Sequence, residues 1–509
     1  MRTERPRALL VVPPVYDFAF YDLFSAPFGL ARIGRWLARA GYEVRLVDAL
    51  RTDDERSRAL RGVPRRHPDG TGKVFRTRIE WPAGRLPVDR SFARYGIVEE
   101  SFRARITRAF GGARPDVALV TSGMTYWYPG VVEAVRTVRA VHQSVPVAVG
   151  GVYASLLPAH CRAVTGAELV STGSSTRDLA AFLGGLGLPV PGGAPGGAVV
   201  DSARGFAVLR LNEGCPYRCD YCAAHTLCPR FEPGDPHAAA AEVRRLHAGA
   251  GVRNFAFYDD ALLVDTKRVF GAFLEHFTGV RGDGSSVAPV ASPRFYLPNA
   301  VHMRHIDADI ARLMNRAGVQ EVRLGFESDD EDFHPAHDAA RSKTGPGPKA
   351  GPGPKAGPGA TPAGGGGGAA LSAAVDALLT GGFSRDRIGV YVLAGLPGQR
   401  REEVERSVRT AGGQGVQVYV SEFSPVPGSP IWDRCVELCE LPIAEEPLYQ
   451  NNTVLPMAWS GFTRADLAAV KDIAAGYRRA VGGRRPPGAT PSSGLRGTPP
   501  PTRSAPPAG

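Results

Sequence analysis

The sequence predicts an α/β protein built from two successive βα-repeat units. The first is a doubly wound, Rossmann-like domain and the second a barrel-like domain. Three observations predict this. Short apolar runs alternate with segments of helical periodicity in two separate blocks of the 509-residue chain. A Gly/Pro-rich stretch, 187–197, divides the blocks. Small residues and acids follow the apolar runs, and the carboxyl ends of strands are where such folds keep their ligands.

Composition sets the outer bounds. Hydrophobic residues make up 43% and charged residues 22%, a globular balance with enough chain for real cores. No apolar run reaches the length of about 18 residues needed to span a membrane. No signal-peptide pattern follows Met1, so a cytoplasmic location is expected. Three of the seven cysteines are bunched, which points to a reducing compartment rather than a disulfide scaffold. The net charge of +11 comes mostly from Arg scattered among Ala, Gly and Pro, so a solvated surface is expected and no nucleic-acid partner.

The first unit is set at residues 1–185. Ala8–Val12 is a strand ending at Pro13-Pro14. Leu30, Ile33, Trp36 and Leu37 then recur at helical spacing up to Gly41, and Tyr42–Asp48 is the second strand. That β-α-β order implies a parallel sheet. Residues 51–100 are polar and weakly periodic, an irregular excursion expected to cap a ligand site. The pattern resumes with strand Val117–Ser122, helix Pro129–Val141, strand Val145–Val149 and strand Glu168–Val170. Ser122, Thr125, Gly150, Gly151, Tyr153 and Gly173 fall just beyond the strand ends, where small residues admit a large flat ligand to the backbone. G-x-G-x-x-G is absent, which disfavours a dinucleotide.

A linker at 186–200 leads to the second unit, 201–430. Its strands are read at Phe206–Leu211, Asn254–Asp260, Arg294–Leu297, Glu321–Ser328, Ile388–Ala394 and Val416–Val420, with helices between them. Asp259 and Asp260, Glu327, and the turn Gly395–Gly398 stand at strand ends. Residues 341–368 hold two Gly-Pro-Gly-Pro-Lys-Ala repeats and a Gly run, a disordered insertion. A helical region, 431–481, is expected to build a substrate wall. A disordered tail, 482–509, follows it.

The chemistry concentrates after the first strand of the second unit. Cys215, Cys219 and Cys222 give C-x3-C-x2-C within eight residues. Thiolates so grouped suit soft metals and iron–sulfur clusters. Three ligands leave one iron of a [4Fe–4S] cluster open to bind a substrate. Two other readings stay open on spacing alone. Cys219, Cys222 and His225 form a zinc-type C-x2-C-x2-H, and Cys228 offers a fourth cluster ligand. Cys161, Cys435 and Cys439 are read as core packing, Tyr217 as packing beside the loop, and Tyr221 as packing or as a shield for the cluster.

The spacing, with Tyr221 before the last Cys, resembles the radical S-adenosylmethionine (SAM) superfamily. The order of the first unit and its loops resemble the cobalamin-binding domain that precedes many radical SAM domains. The whole resembles the type that includes anaerobic porphyrin-ring cyclase-like enzymes. The resemblance implies a partial (β/α)6 barrel and a [4Fe–4S] cluster on Cys215, Cys219 and Cys222. It also implies reductive cleavage of SAM to a 5′-deoxyadenosyl radical, and cobalamin for methyl transfer or another modification at an unactivated carbon. It implies SAM contacts from Asp259 or Asp260, Glu327, Gly395 and Gly398. For these residues the plain alternatives are a helix cap, a strand-end acid and a simple turn. Cobalamin would lie on Ser122, Thr125, Gly150, Gly151, Tyr153 and Gly173. One departure stands out: D-x-H-x-x-G, whose His ligates cobalt, is absent after the first strand. That keeps a second reading, in which the first domain recognises a substrate, and a third, a non-enzymatic iron–sulfur or zinc protein. The expected partners are a small-molecule substrate and an external electron donor such as flavodoxin or ferredoxin.

Overall fold

The computed structural model describes residues 5–84, 88–173, 176–201, 204–278, 293–333, 337 and 367–482. The insertion expected at 341–368 lies outside these up to residue 366, and the expected tail from residue 483 on.

The first unit contains β1 (Arg7–Val12), β2 (Val15–Asp17), β3 (Glu43–Asp48), β4 (Arg76–Arg78), β5 (Ala93–Tyr95), β6 (Val117–Ser122), β7 (Val147–Gly151) and β8 (Leu169–Val170). Five of them make a parallel sheet in the order β3-β1-β6-β7-β8. Its central strands are continuous apolar runs because helices cover both faces. Leu30, Trp36 and Leu37 of helix Phe28–Arg39 join Leu179 and Leu183 on one face. Phe102, Ile106, Val131, Val135 and Val138 cover the other. β7 starts two residues later than expected and takes in Gly150-Gly151. Pro146 has no N–H to give a ladder, so the pairing begins behind it.

The excursion 51–100 is less irregular than its sequence suggests. It forms helix Glu55–Arg61, capped by the Asp54 carboxylate on Ser57 N, and strands β4 and β5, which join β2 in an antiparallel sheet in the order β2-β5-β4. Each of its strands is three residues long, too short to display a period of two. Arg94 of β5 is 2% exposed and is held by Glu133 at 2.6 Å.

The second unit contains β9 (Val199–Asp201), β10 (Phe206–Leu209), β11 (Asn212–Glu213), β12 (Glu232–Pro233), β13 (Asn254–Phe257), β14 (Arg294–Tyr296), β15 (Val301–His302), β16 (Val322–Glu327), β17 (Ile388–Ala394) and β18 (Gln417–Glu422). β9 runs antiparallel on the edge of the parallel set β10, β13, β14. β15-β16-β17-β18 is a second parallel sheet, joined to the first by a bridge between Phe295 and Val319. The outward faces, Leu209, Phe255, Phe257, Phe295, Leu324 and Val390 among them, pack under the helices in one large core.

The inward face of the first sheet has a different cover. Phe206, Val208 and Ala256 pack on Phe24 and Phe28 of the first unit. Phe24 packs at a tilt against Tyr296 at 4.6 Å and meets Phe206 edge-on at 5.3 Å. The Tyr258 hydroxyl accepts from Ala26 N at 2.9 Å and donates to Phe24 O. The stretch read as a linker is strapped down along helix Phe28–Arg39. Trp36 Nε1 donates to Gly193 O at 2.8 Å, Arg32 to Pro195 O at 2.7 Å, and Arg35 to Gly196 O at 2.6 Å.

Candidate functional site

The cysteine loop springs from β10. That strand stops at Leu209 because the next free N–H groups turn to a side chain. Leu211 N and Asn212 N both donate to the Asp259 carboxylate, at 3.0 and 2.5 Å. β11 then pairs antiparallel with β12 and closes the base of the loop. Gly214 enters it at φ +74°, and a Cβ there would stand 2.3 Å from Arg230 O, so only glycine fits.

The loop is clamped from outside. The Tyr217 hydroxyl bonds His305 Nε2, its ring packs at a tilt on His302 at 4.8 Å, and Arg304 sits 5.5 Å over it. Asp220 is held three ways. Its N–H donates to His337 O at 2.9 Å, its carboxylate lies 2.9 Å from His337 Nδ1, and its carbonyl accepts from Ile431 N at 3.1 Å. Cys215, Cys219 and Cys222 are half-buried. Burial, above all, pushes Cys215 up to about 12, opposed by a bond from Tyr217 N–H and reinforced by Cys222, Cys219 and Asp260. Burial also raises Cys222, with Asp260 and Glu327 adding to it after an opposing bond from Ala224 N–H. The three thiols therefore lie within electrostatic reach of one another and of two acids. Among the described residues, no three His, Cys, Asp or Glu converge tightly enough for a single metal ion. A cubane makes no such demand, since each thiolate binds a different iron. Iron at these thiols would release the protons that burial otherwise retains.

The paired acids after β13 divide their work. Asp259 is 3% exposed, and its oxygens are spent on the Leu211 and Asn212 N–H groups. Burial lifts it to about 7 against the pull of those bonds. Asp260 is exposed and lies toward the thiols, with Arg210 lowering and Glu213 raising a carboxyl already raised by partial burial. Replacing Asp259 by Ala is expected to cost about 1–3 kcal/mol for each buried donor left unmet, read from urea unfolding. Asp260→Asn is expected to leave stability within about 0.5 kcal/mol. The reverse pattern would overturn this division.

Glu327 ends β16 at φ +64°, a strained position for a side chain with a Cβ, next to a register shift against β17. Burial alone lifts its carboxyl to about 7, and it raises Tyr221 and Cys222 of the loop. Gly395 and Gly398 form a turn tied by Gln399, whose Oε1 accepts from Gly395 N at 2.7 Å. A Cβ on Gly395 would strike Leu455 at 2.7 Å.

The strand ends of the first unit are partly filled by the chain itself. Ser122 Oγ donates to Gly150 O at 2.8 Å and accepts from Ala154 N at 3.1 Å. Thr125 Oγ1 donates to Gln450. Buried Tyr153 bonds His160 at 2.7 Å. Asp17, just past β1, accepts from Trp127 Nε1 at 2.6 Å and Asn451 Nδ2 at 2.9 Å. The crevice between β1 and β6, where strand order reverses, is thus occupied by residues 450–451 and their partners. What stays open is backbone: Gly151 and Gly173 are exposed. A Cβ on Gly173 would come 3.9 Å from Leu227 O, in the short helix Ala224–Leu227 of the cysteine loop. The residues fit a flat cofactor on the β7–β8 side, next to that loop, through backbone rather than side chains.

Sequence reasoning missed His305, His337, Gln399, Gln450 and Asn451 as the groups that hold the site together. His305, His337, Gln450 and Asn451 reach their partners across wide gaps in sequence that no local pattern marks, whereas Gln399 ties the turn four residues before it.

No family model matches the chain. Over 124 residues it is 32% identical to anaerobic magnesium-protoporphyrin IX monomethyl ester cyclase of Synechocystis, covering 24% of this chain and 23% of that protein. Over 266 residues it is 21% identical to an uncharacterized methyltransferase of Pyrococcus horikoshii, covering 51% of this chain and 46% of that one. The chain thus matches less than half the length of either relative. Its fold is similar to that of the radical SAM methyltransferase TsrM from Kitasatospora setae, solved with cobalamin and a [4Fe–4S] cluster. The TM-score is 0.57 at 15% identity, over 86% of this chain and 80% of that one. TsrM with tryptophan and a SAM analogue bound gives 0.56 at 15% identity, over 86% and 77%. The mixed α/β fold with parallel sheets expected from the sequence is therefore met, and it is a fold similar to that of TsrM.

Proposed function

We propose that the chain is a radical SAM enzyme that modifies a small molecule at an unactivated carbon, with methyl transfer as its reaction and cobalamin as its second cofactor. One observation carries this reading. The three thiols of the loop after β10 lie within electrostatic reach of Asp260 and Glu327, which come from two other strand ends. When bound, the cluster supplies the electron that cleaves SAM, and cobalamin supplies a methyl carrier.

The chain's own residues have separable tasks. Cys215, Cys219 and Cys222 would hold the cluster. Asp259 fixes the backbone from which the loop departs, which frees Asp260 to accept from an ammonium group. Glu327, desolvated and unneutralised, would accept from a ribose hydroxyl or the same ammonium. Gly395–Gly398 would offer backbone beneath the adenine. Gly150, Gly151 and Gly173 would lie under a corrinoid, with Ser122, Thr125 and Tyr153 shaping the loops around them. We read the six strands β10, β13, β14, β16, β17 and β18 as a partial (β/α)6 barrel. The division into 1–185, 201–430 and 431–481 belongs to the same reading. The last segment walls the substrate pocket, and a flavodoxin or ferredoxin delivers the electron. No described helix is long and apolar enough to cross a membrane.

The bonds of Thr125 to Gln450 and of Asp17 to Asn451 favour one competitor, a radical SAM enzyme whose first domain binds substrate without cobalamin. Anaerobic reconstitution with iron and cobalt analysis separates the two. A cluster spectrum that SAM perturbs, together with bound corrinoid, is expected. Cluster without corrinoid moves the assignment to the competitor. Zinc without iron overturns both.

A further inference from the structure

We propose that a cavity at the seam of the two units binds a small zwitterion with an apolar body, the chemistry of a free α-amino acid. The cavity measures 360 Å³, within the range of about 300–1,000 Å³ seen for small-molecule sites. It lies between helix Phe28–Arg39, the end of β10 and the start of helix Pro236–Ala250. Leu209, Leu211, Ala198 and Phe28 give it an apolar floor.

Three lining side chains carry buried polar atoms with no hydrogen-bond partner: Arg32 Nε, Arg210 Nε and Asn212 Oδ1. Groups of this kind are costly to leave unmet and rare in native interiors. Asn212 is 1% exposed, and its Nδ2 is committed to Ala261 O and Leu262 O, each at 3.3 Å. The two guanidinium groups stand over one ring, Phe28, at 5.1 and 5.3 Å. A carboxylate between them would meet both Nε–H donors and relieve their mutual repulsion.

The acids of the lining select the other end of the ligand. Asp235 and Glu242 are spent on backbone N–H groups, of His237 and Ala238 and of Ala198. Glu213, paired with Arg210 at 3.5 Å, and Glu232 stand on the wall that also carries Asn212. Together they suit an ammonium. An anion alone would face those acids and a cation alone would face the arginines, so a molecule carrying both charges fits best. None of the cysteine thiols, Asp260 or Glu327 lines the cavity, so this site stands or falls apart from the SAM reading.

The test is calorimetric titration of the full chain with L-leucine, L-phenylalanine and L-tryptophan, and with their N-acetyl and amide forms. Saturable binding of at least one free amino acid is expected. Affinity should fall about tenfold or more when either end is blocked, and likewise in Arg32→Met and Arg210→Met. Circular dichroism melts of both variants establish that they fold. The proposal is overturned by no saturable binding, by equal binding of the blocked forms, or by binding that both variants retain.

Discussion

Replacement of Cys222 by alanine is expected to abolish cluster assembly and to bring reductive SAM cleavage down to background while the fold survives. A three-thiolate site has no spare ligand, so two remaining thiols leave a second iron open and the cluster labile. The fold should tolerate the change. Cys222 is only half-buried, and its Sγ accepts a single weak bond, from Ala224 N at 3.4 Å. The same substitution at Cys228 is the informative contrast. Cys228 points back along its own segment, with Sγ 3.5 Å from Arg230 O. If three thiols hold the cluster, Cys228→Ala keeps iron content, optical spectrum and SAM cleavage close to the unmodified chain. If Cys228 is a fourth ligand, its loss opens an iron that was closed, and cleavage rises or the cluster decays. Iron analysis, the visible charge-transfer band and 5′-deoxyadenosine yield separate these outcomes. Cleavage that persists in Cys222→Ala would remove the three-ligand assignment altogether.

The cysteine loop was legible because its signal is local: three thiols in eight residues, behind an apolar run that ends in a glycine turn. The βα alternation was legible for a related reason, since fully buried parallel strands must be continuous apolar runs. What stayed hidden depends on partners far away in sequence. Nothing in Asp259-Asp260 says which carboxylate turns to the backbone of Leu211 and Asn212, yet that choice separates a structural acid from a candidate ligand-binding one. Thr125 looked free to meet a cofactor, but its hydroxyl is taken by Gln450 from the C-terminal region. The excursion 51–100 looked irregular because its strands are short and rich in Arg, and a paired arginine such as Arg94 reads as surface until Glu133 is found beside it. The stretch 187–197 reads as free linker by composition. It is held in place by Trp36 and three arginines, Arg32, Arg35 and Arg39, of a helix whose polar face looks merely solvated.

The seam those arginines reinforce has one dominant ion, and Arg204→Met is expected to cost the chain about 3–5 kcal/mol at neutral pH, the usual penalty for stranding buried charges. Arg204 is 8% exposed and meets Asp22 at 3.2 Å, Asp48 at 2.9 Å and Asp201 at 2.8 Å. Asp22 and Asp48 belong to the first unit and Asp201 to β9 at the head of the second, so one guanidinium ties the two together. Burial works against the charge on Arg204, but Asp48, Asp22 and Asp201 outweigh it and hold its pKa above the ordinary value. Asp48 is raised, by burial first, with Arg204 the chief influence pulling it back down. Removing Arg204 takes away that pull, so the folded-state pKa of Asp48 climbs further. A carboxyl with a raised folded pKa binds its proton more tightly in the folded than in the unfolded chain, and stability then falls as pH rises through the window between the two values. The deficit of Arg204→Met should therefore be largest at neutral pH and shrink as pH falls and Asp48 takes up its proton. Urea unfolding of both proteins at a series of pH values measures this directly. A loss under about 1 kcal/mol with no pH dependence, as for a solvent-screened surface pair, would show that the seam rests instead on Phe24, Phe28 and their apolar contacts with β10 and β13.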